Sequence, residues 1–471
     1  MEKKNTWETY SSKQLKELEK INAQYRDFLD NGKTERECID TIVNTIEKSG
    51  YRELESLIKE GTALKTGDKV YSVWMNKSIA MFQIGRKPMT EGMNILGAHI
   101  DSPRLDVKQN PLYEDGGFAY LDTHYYGGVK KYQWVTIPLA IHGVIVKKDG
   151  TCVEINIGEN EDDPVFFVSD LLIHLAQEQL DKKAAKVIEG EALDIIVGNK
   201  PLLIDKKDKK KDEKEAGKEA VKAGVLDILK ETYDIHEEDF VSAELEIVPA
   251  GKAREAGFDR SMILAYGQDD RVCAYTSMQA MLDSDVTDRT MCCILVDKEE
   301  IGSVGATGMQ SHFFENAVAE VMNLTGEYSE LHVRRCLAHS CMLSSDVSSA
   351  FDPTYASSFD KKNVAYLGGG MVINKFTGAR GKSGSNDANA EYLAHLRHIF
   401  DKAEVNFQTA ELGKVDLGGG GTIAYILALY GMNVIDSGVA VLNMHAPWEI
   451  TSKADIYETK KGYVVFLEKI F

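Results

Sequence analysis

Short apolar runs in this chain repeatedly end on an acid or a histidine. Residues 93–98 run into His99, residues 291–296 into Asp297-Lys298-Glu299-Glu300, residues 341–345 into Asp346, and residues 438–444 into His445. Apolar runs of this length, bounded by turn residues, read as buried strands. In open α/β sheets, sites gather at the carboxyl ends of the strands. The pattern therefore predicts an α/β fold in which several strands deliver polar side chains to one place.

Two stretches sharpen that reading. In Val296-Asp297-Lys298-Glu299-Glu300-Ile301-Gly302-Ser303, adjacent glutamates follow a strand and a glycine turns the chain away. Neighbouring side chains point in different directions, so one glutamate can bind a metal while the other handles the proton of an activated water. In Ala98-His99-Ile100-Asp101-Ser102-Pro103, positions i and i+2 of a strand face the same way. Asp101 can thus orient a ligating His99 from behind. A third stretch, Tyr266-Gly267-Gln268-Asp269-Asp270-Arg271, precedes a helical apolar face of Val272, Tyr275, Met278, Met281 and Leu282. Asp270 is placed there as the N-cap of that helix. His99, Asp269, Glu300, Asp346 and His445 then make five nitrogen and oxygen ligands with no cysteine. Such a set suits one or two divalent ions such as zinc, cobalt or manganese, and two ions suffice with five residues if one carboxylate bridges. Glu299 is left beside the water, where a general base is needed.

Composition excludes other classes. The formal net charge is −19 over 471 residues, which argues against nucleic acid or an anionic membrane surface as the main partner. No run approaches the roughly 18–20 apolar residues that cross a bilayer, and residues 1–7 have no apolar core for a signal peptide. The seven cysteines fall at irregular spacing with no Cys-x-x-Cys, as expected of free thiols in a reducing cytosol. The four glycines at 418–421 lack the lysine that a phosphate-binding loop requires, so they read as a tight turn.

Along the chain, residues 12–48 show two amphipathic helices broken near Asn31-Gly32, and residues 70–74 and 78–84 pair as strands. Residues 105–257 differ. They contain strand-like pieces at 117–120 and 141–147, a helix expected at 170–179, and a charge-dense tract at 200–218 that reads as a solvated loop. Metal-ligand residues are not concentrated there. The block is read as a domain inserted into a catalytic domain formed by residues 1–104 and 258–471.

Five ordered motifs together resemble the M18 metallo-aminopeptidases across nearly the whole chain. They are Ala98 to Pro103, Gln268-Asp269-Asp270-Arg271, Asp297 to Ser303, Ser344-Ser345-Asp346 and Asn443-Met444-His445. The resemblance implies a zinc-peptidase-like catalytic domain, with a mixed central sheet flanked by helices, and a mostly β dimerisation domain inserted in it. It implies that His99, Glu300, Asp346 and His445 are metal ligands, that Asp269 bridges two ions, that Glu299 is the general base and that Asp101 orients the site. It implies two divalent cations per subunit, zinc foremost. It also implies peptide substrates, a cytoplasmic homododecamer built from dimers, and no nucleic-acid or membrane partner. His174 matches a motif through which a neighbouring insertion reaches the substrate pocket, with a packed core histidine as the alternative. Members preferring acidic N-terminal residues carry a basic side chain where Asn374 stands here. Lys375, Arg380 or Lys382 are the substitutes, and the expected preference is broad or neutral, with an acidic preference second. A two-metal deacylase or carboxypeptidase, or a catalytically dead scaffold, are the rival readings.

Overall fold

The runs that end on polar residues fold as neighbouring strands. The computed structural model describes residues 5–202 and 219–470, and the chain divides into two units. The first comprises Met1–Ser102, Ala253–Met444 and Trp448–Phe471, and the second Pro103–Lys252 with His445–Pro447.

The first unit is built on a nine-stranded mixed sheet. Its spatial order is Arg52–Glu53, Lys69–Trp74, Ser78–Gln83, Thr290–Val296, Met93–His99, Cys341–Ser345, Asn433–Gly438, Met371–Asn374 and Phe407–Thr409. The four strands from Thr290–Val296 to Asn433–Gly438 are mutually parallel, with antiparallel neighbours on both sides. Parallel strands are buried on both faces, which is why these runs are continuously apolar and do not alternate. Met291, Cys293 and Leu295 enter one core, and Cys292, Ile294 and Val296 the other. Helices Ser12–Asp30, Glu35–Glu47, Gln268–Asp283, Ala390–Lys402 and Lys453–Lys469 bury their apolar faces in the first core. Leu54–Glu60, Phe313–Leu324, Glu330–His339 and Ala424–Ala428 do so in the second.

The two expected N-terminal helices stop where the sequence signals placed them. Ser11 with Gln14 and Thr34 with Glu37 form reciprocal capping boxes, which satisfy amide groups that a helix start leaves without partners. A smaller five-stranded sheet of the same unit joins Arg254–Ala256, Met262–Ala265, Glu449–Ser452, Ala440–Leu442 and Ser348–Ser349. Because Arg254–Ala256 pairs antiparallel with Met262–Ala265, residues 253–257 belong with the first unit and not with the insertion in which the sequence placed them.

The second unit is a six-stranded antiparallel sheet in the order Cys152–Ile157, Leu139–Val146, Ala243–Pro249, Arg104–Asp115, Phe118–Tyr126 and Ile195–Gly198. One longer helix, Ala220–Tyr233, accompanies it. The single helix expected at 170–179 does not form. A 3-10 turn at Ile173–Leu175 and a short helix at Gln177–Leu180 stand in its place. Leu171, Leu172, Ile173 and Leu175 are all exposed. With no helix face to bury, the chain stays extended at Leu172. Most of the charged tract expected as a loop, 203–218, lies outside the described residues. No helix among those described is long and apolar enough to cross a membrane.

One contact in the sheet has no spare room. A Cβ on Gly438 would lie 1.9 Å from the Asp346 carbonyl oxygen and 2.9 Å from Cys273 Sγ. Gly438→Ala should therefore force the strands apart beside Asp346 and cost about 1–3 kcal/mol of stability, measured by denaturant unfolding. Unchanged stability would mean the strands can separate there freely.

Candidate metal centre

The register of the parallel strands sets the site. Val296 lies opposite His99, and Ser344 lies opposite Gly97. Two residues beyond Ser344, Asp346 comes level with His99. Three residues beyond Val296, Glu299 starts a one-turn 3-10 helix, Glu299–Ile301. Lys298 (φ 70°) and Gly302 (φ 99°) bracket that turn in the left-handed region. Gly302 takes this conformation without steric cost, which is the role the sequence assigned to it.

Asp101 holds the two strand ends together. Its carboxylate is fully buried. One oxygen accepts the Glu299 amide and the other the Glu300 amide, each at 3.1 Å. The first oxygen also lies 3.2 Å from His99 Nδ1, and that nitrogen is 2.9 Å from the Asp101 carbonyl. With the proton on Nδ1, the acceptor lone pair of the ring falls on Nε2. Around Nε2 stand Asp269 Oδ1 at 3.4 Å, Glu299 Oε2 at 3.8 Å and Asp346 Oδ1 at 4.0 Å.

The electrostatics are those of a crowded anionic pocket. Burial, then the nearby Asp270 and Glu299, push the Asp346 carboxyl well above its ordinary range. Burial does the same to Asp270, against the pull of His99. Burial alone would lower His99, but its contacts with Asp101 and Asp269 raise it well above normal. One ligand atom each from His99, Asp269 and Asp346 lies within 4.8 Å of the others. Nitrogen and carboxylate oxygen at that spacing, with no thiolate, form a donor set that fits zinc, cobalt or manganese.

The other expected residues divide. Glu300 shares the turn with Glu299 and is half-buried. His445 lies on the three-residue segment that groups with the second unit, where its Nδ1 sits 2.9 Å from the Gly128 carbonyl. A proton on Nδ1 would again leave the acceptor lone pair on Nε2. Asp270 does not cap the helix. The N-cap is Gly267, and both Asp269 and Asp270 have non-helical backbone. Asp270 Oδ2 instead accepts the His99 amide at 3.3 Å. His174 is exposed in the second unit, so the packed-core alternative does not hold. Lys375 Nζ is 3.8 Å from Asp387, which also pairs with Lys382 at 2.8 Å. Asn374 is buried, and its Nδ2 donates to the Ala410 carbonyl and Ser348 Oγ.

Sequence reasoning assigned no role to a supporting ring of polar groups. The Asp297 amide donates to Ser78 Oγ at 3.3 Å, and Ser78 Oγ donates to the Thr307 carbonyl at 2.6 Å. Thr307 Oγ1 donates back to Asp297 Oδ2 at 2.5 Å. Burial, then Glu35 and Asp101, push the Asp297 carboxyl up to about 6. Ser102 and Glu449 hold the main chain of Asp269. Ser102 lies within the Ala98 to Pro103 motif, whereas Glu449 has no local signal.

A family model described as aminopeptidase I zinc metalloprotease (M18) matches residues 28–467. A probable M18 family aminopeptidase 1 of Clostridium acetobutylicum is 64% identical over 466 residues, covering 99% of this chain and 98% of that protein. The crystal structure of an M18 aminopeptidase from Thermotoga maritima superposes with a TM-score of 0.92 at 44% identity, over 100% of both chains. The S. cerevisiae mApe1 dodecamer structure has a TM-score of 0.75 at 19% identity, over 96% of this chain and 97% of that one, and shares the fold.

A cation that fits this pocket must stabilise the folded chain. Zinc at about a hundred times its dissociation constant should add about 2.7 kcal/mol, read as a rise in Tm of chelator-stripped protein. Asp346→Ala should remove most of the rise. No rise in the unaltered chain would mean that the acids do not form a zinc site.

Proposed function

The chain belongs to the M18 family of zinc aminopeptidases, and on that premise we propose that it removes N-terminal residues from short peptides with two divalent cations and Glu299 as general base. His99, Asp269 and Asp346 hold one cation in this reading. Glu300 and His445 hold the second, with Asp269 shared between the two. When bound, the cations lower the pKa of a water and polarise the scissile carbonyl.

The observation that carries the reading is the placement of Glu299. Its Oε2 is 3.8 Å from the ligating face of His99, and its side chain keeps 14% exposure. It therefore stands beside the ligand atoms while remaining open to proton exchange. The Asp101 carboxylate fixes the start of its turn. Glu299 takes a proton from the attacking water and returns it to the leaving amine. Asp101 orients both His99 and that turn.

The expected side-chain preference is broad or neutral. Asn374 occupies the position where the resemblance expects a basic residue, and it is committed to Ala410 and Ser348. Lys375 and Lys382 share the charge of Asp387. An acidic preference is the second reading, favoured by a cavity of about 220 Å³ lined in part by Arg380, Lys382 and Lys414. Seven free cysteines, six of them buried, support a reducing cytoplasmic setting. The exposed segment around His174 supports self-association through the inserted unit, and the mApe1 dodecamer suggests the form: a homododecamer built from dimers that encloses the sites, with His174 reaching a neighbouring pocket.

Glu299→Gln should keep bound zinc while turnover of aminoacyl-anilides falls about 10²–10⁴-fold. Full activity in this variant would assign the base elsewhere. A panel of acidic, neutral and basic anilides should favour neutral residues, and N-acetylated peptides should be refused. A dominant acidic substrate would replace the first reading with the second.

A further inference from the structure

We propose that Glu449 is a positioning residue, whose buried carboxylate sets the orientation of Asp269 and through it the affinity of the metal pair. The inference rests on reading Asp269 as the shared ligand. A carboxylate that serves two cations has both oxygens committed, so small rotations of its main chain misplace both. Such ligands are held within about 0.5 Å by the groups behind them.

The peptide main chain of Asp269 is clamped at both ends. Its amide donates to Glu449 Oε2 at 3.0 Å, and its carbonyl accepts Ser102 Oγ at 2.6 Å. The same strand grips the preceding residue. Gln268 Nε2 donates to the Glu449 carbonyl at 2.7 Å, and Gln268 Oε1 accepts Thr451 Oγ1 at 2.5 Å and Tyr25 OH at 3.3 Å. Strand Glu449–Ser452 is antiparallel to Met262–Ala265, with Glu449 opposite Ala265. That register brings the Glu449 side chain to the segment leading into Asp269.

Glu449 is 1% exposed, so the bond it accepts from the Asp269 amide is shielded from water. The anion gives two things that a neutral group does not. Its bond to the amide is charge-assisted and about twice as strong. Its charge, one peptide away from the ligand, also favours divalent cations in the pocket. Glu449 is not a member of the His99, Asp269 and Asp346 group, so it acts through Asp269.

The test compares Glu449→Ala, Glu449→Gln, Ser102→Ala and Asp269→Asn. Zinc affinity is read by competition with a chromogenic chelator, kcat and KM at saturating zinc on a neutral aminoacyl-anilide, and Tm on the chelator-stripped protein. Glu449→Ala should weaken zinc about 10–100-fold and lower kcat with KM within about twofold. Glu449→Gln should recover most of the kcat, because its Oε1 still accepts the amide, but only part of the zinc affinity. Ser102→Ala should move zinc affinity in the same direction by less, which keeps the test open if Glu449→Ala fails to fold. Wild-type zinc affinity in Glu449→Ala, or a loss confined to the Tm of the stripped protein, would overturn the proposal. If Asp269→Asn loses zinc and Glu449→Ala does not, only this inference falls. If Asp269→Asn binds zinc as tightly as the unaltered chain, the ligand reading itself falls.

Discussion

A single buried carboxylate, that of Asp101, ties the ends of two parallel strands together. It accepts consecutive amides from the Glu299–Ile301 turn and faces His99 Nδ1. Hydrogen bonds to a charged group contribute about 1.5–3 kcal/mol each, and leaving a buried amide without its acceptor costs as much again. The turn therefore has one favourable position, and the histidine ring has one favourable tautomer. With that carboxylate in place, Nε2 of His99 and the side chain of Glu299 point to the same few ångströms of space.

The rest of the sheet supplies what this arrangement needs. The parallel register brings Asp346 level with His99, and both faces of the central strands are buried. The acids thus stand at the rim of a low-dielectric layer, where their mutual repulsion is strong. Burial foremost pushes the Asp346 and Asp270 carboxyls well above their usual range, and for Asp346 the neighbouring acids add to it. A set of carboxylates that destabilises itself when empty and fits a dication when filled is the familiar trade of stability for activity. The second ring, Ser78, Thr307 and Asp297 on one side and Ser102 and Glu449 on the other, fixes the main chain on either side of the acids. That is how a pocket of like charges keeps its shape.

Much of this could be read from the residues because strands and ligands obey local rules. The apolar runs at 93–98, 291–296 and 341–345 appear as central strands, and the break near Asn31-Gly32 falls between helices Ser12–Asp30 and Glu35–Glu47. Where a longer-range partner competes, the local reading fails. Asp270 has the side chain of an N-cap, but the His99 amide from another strand claims it. Residues 170–179 have apolar content without an apolar face, and they form two short turns in place of one helix. The run before His445 starts on the last residue of the central strand Asn433–Gly438 and then forms Ala440–Leu442 in the five-stranded sheet. Glu449 could not be singled out at all, because its partner is 180 residues away.

The sequence alone determined the chemistry on offer: which nitrogens and oxygens the chain carries, and that all but Asp269 among the expected ligands follow apolar runs. Those facts depend on side-chain type and on periodicity over a few residues, which survive in any fold. Tertiary structure alone decided which acids meet, in which register, and which polar groups hold them from behind. Hydrogen bonds and repulsion between carboxylates act over a few ångströms, and only the folded sheet brings residues so far apart along the chain within that distance.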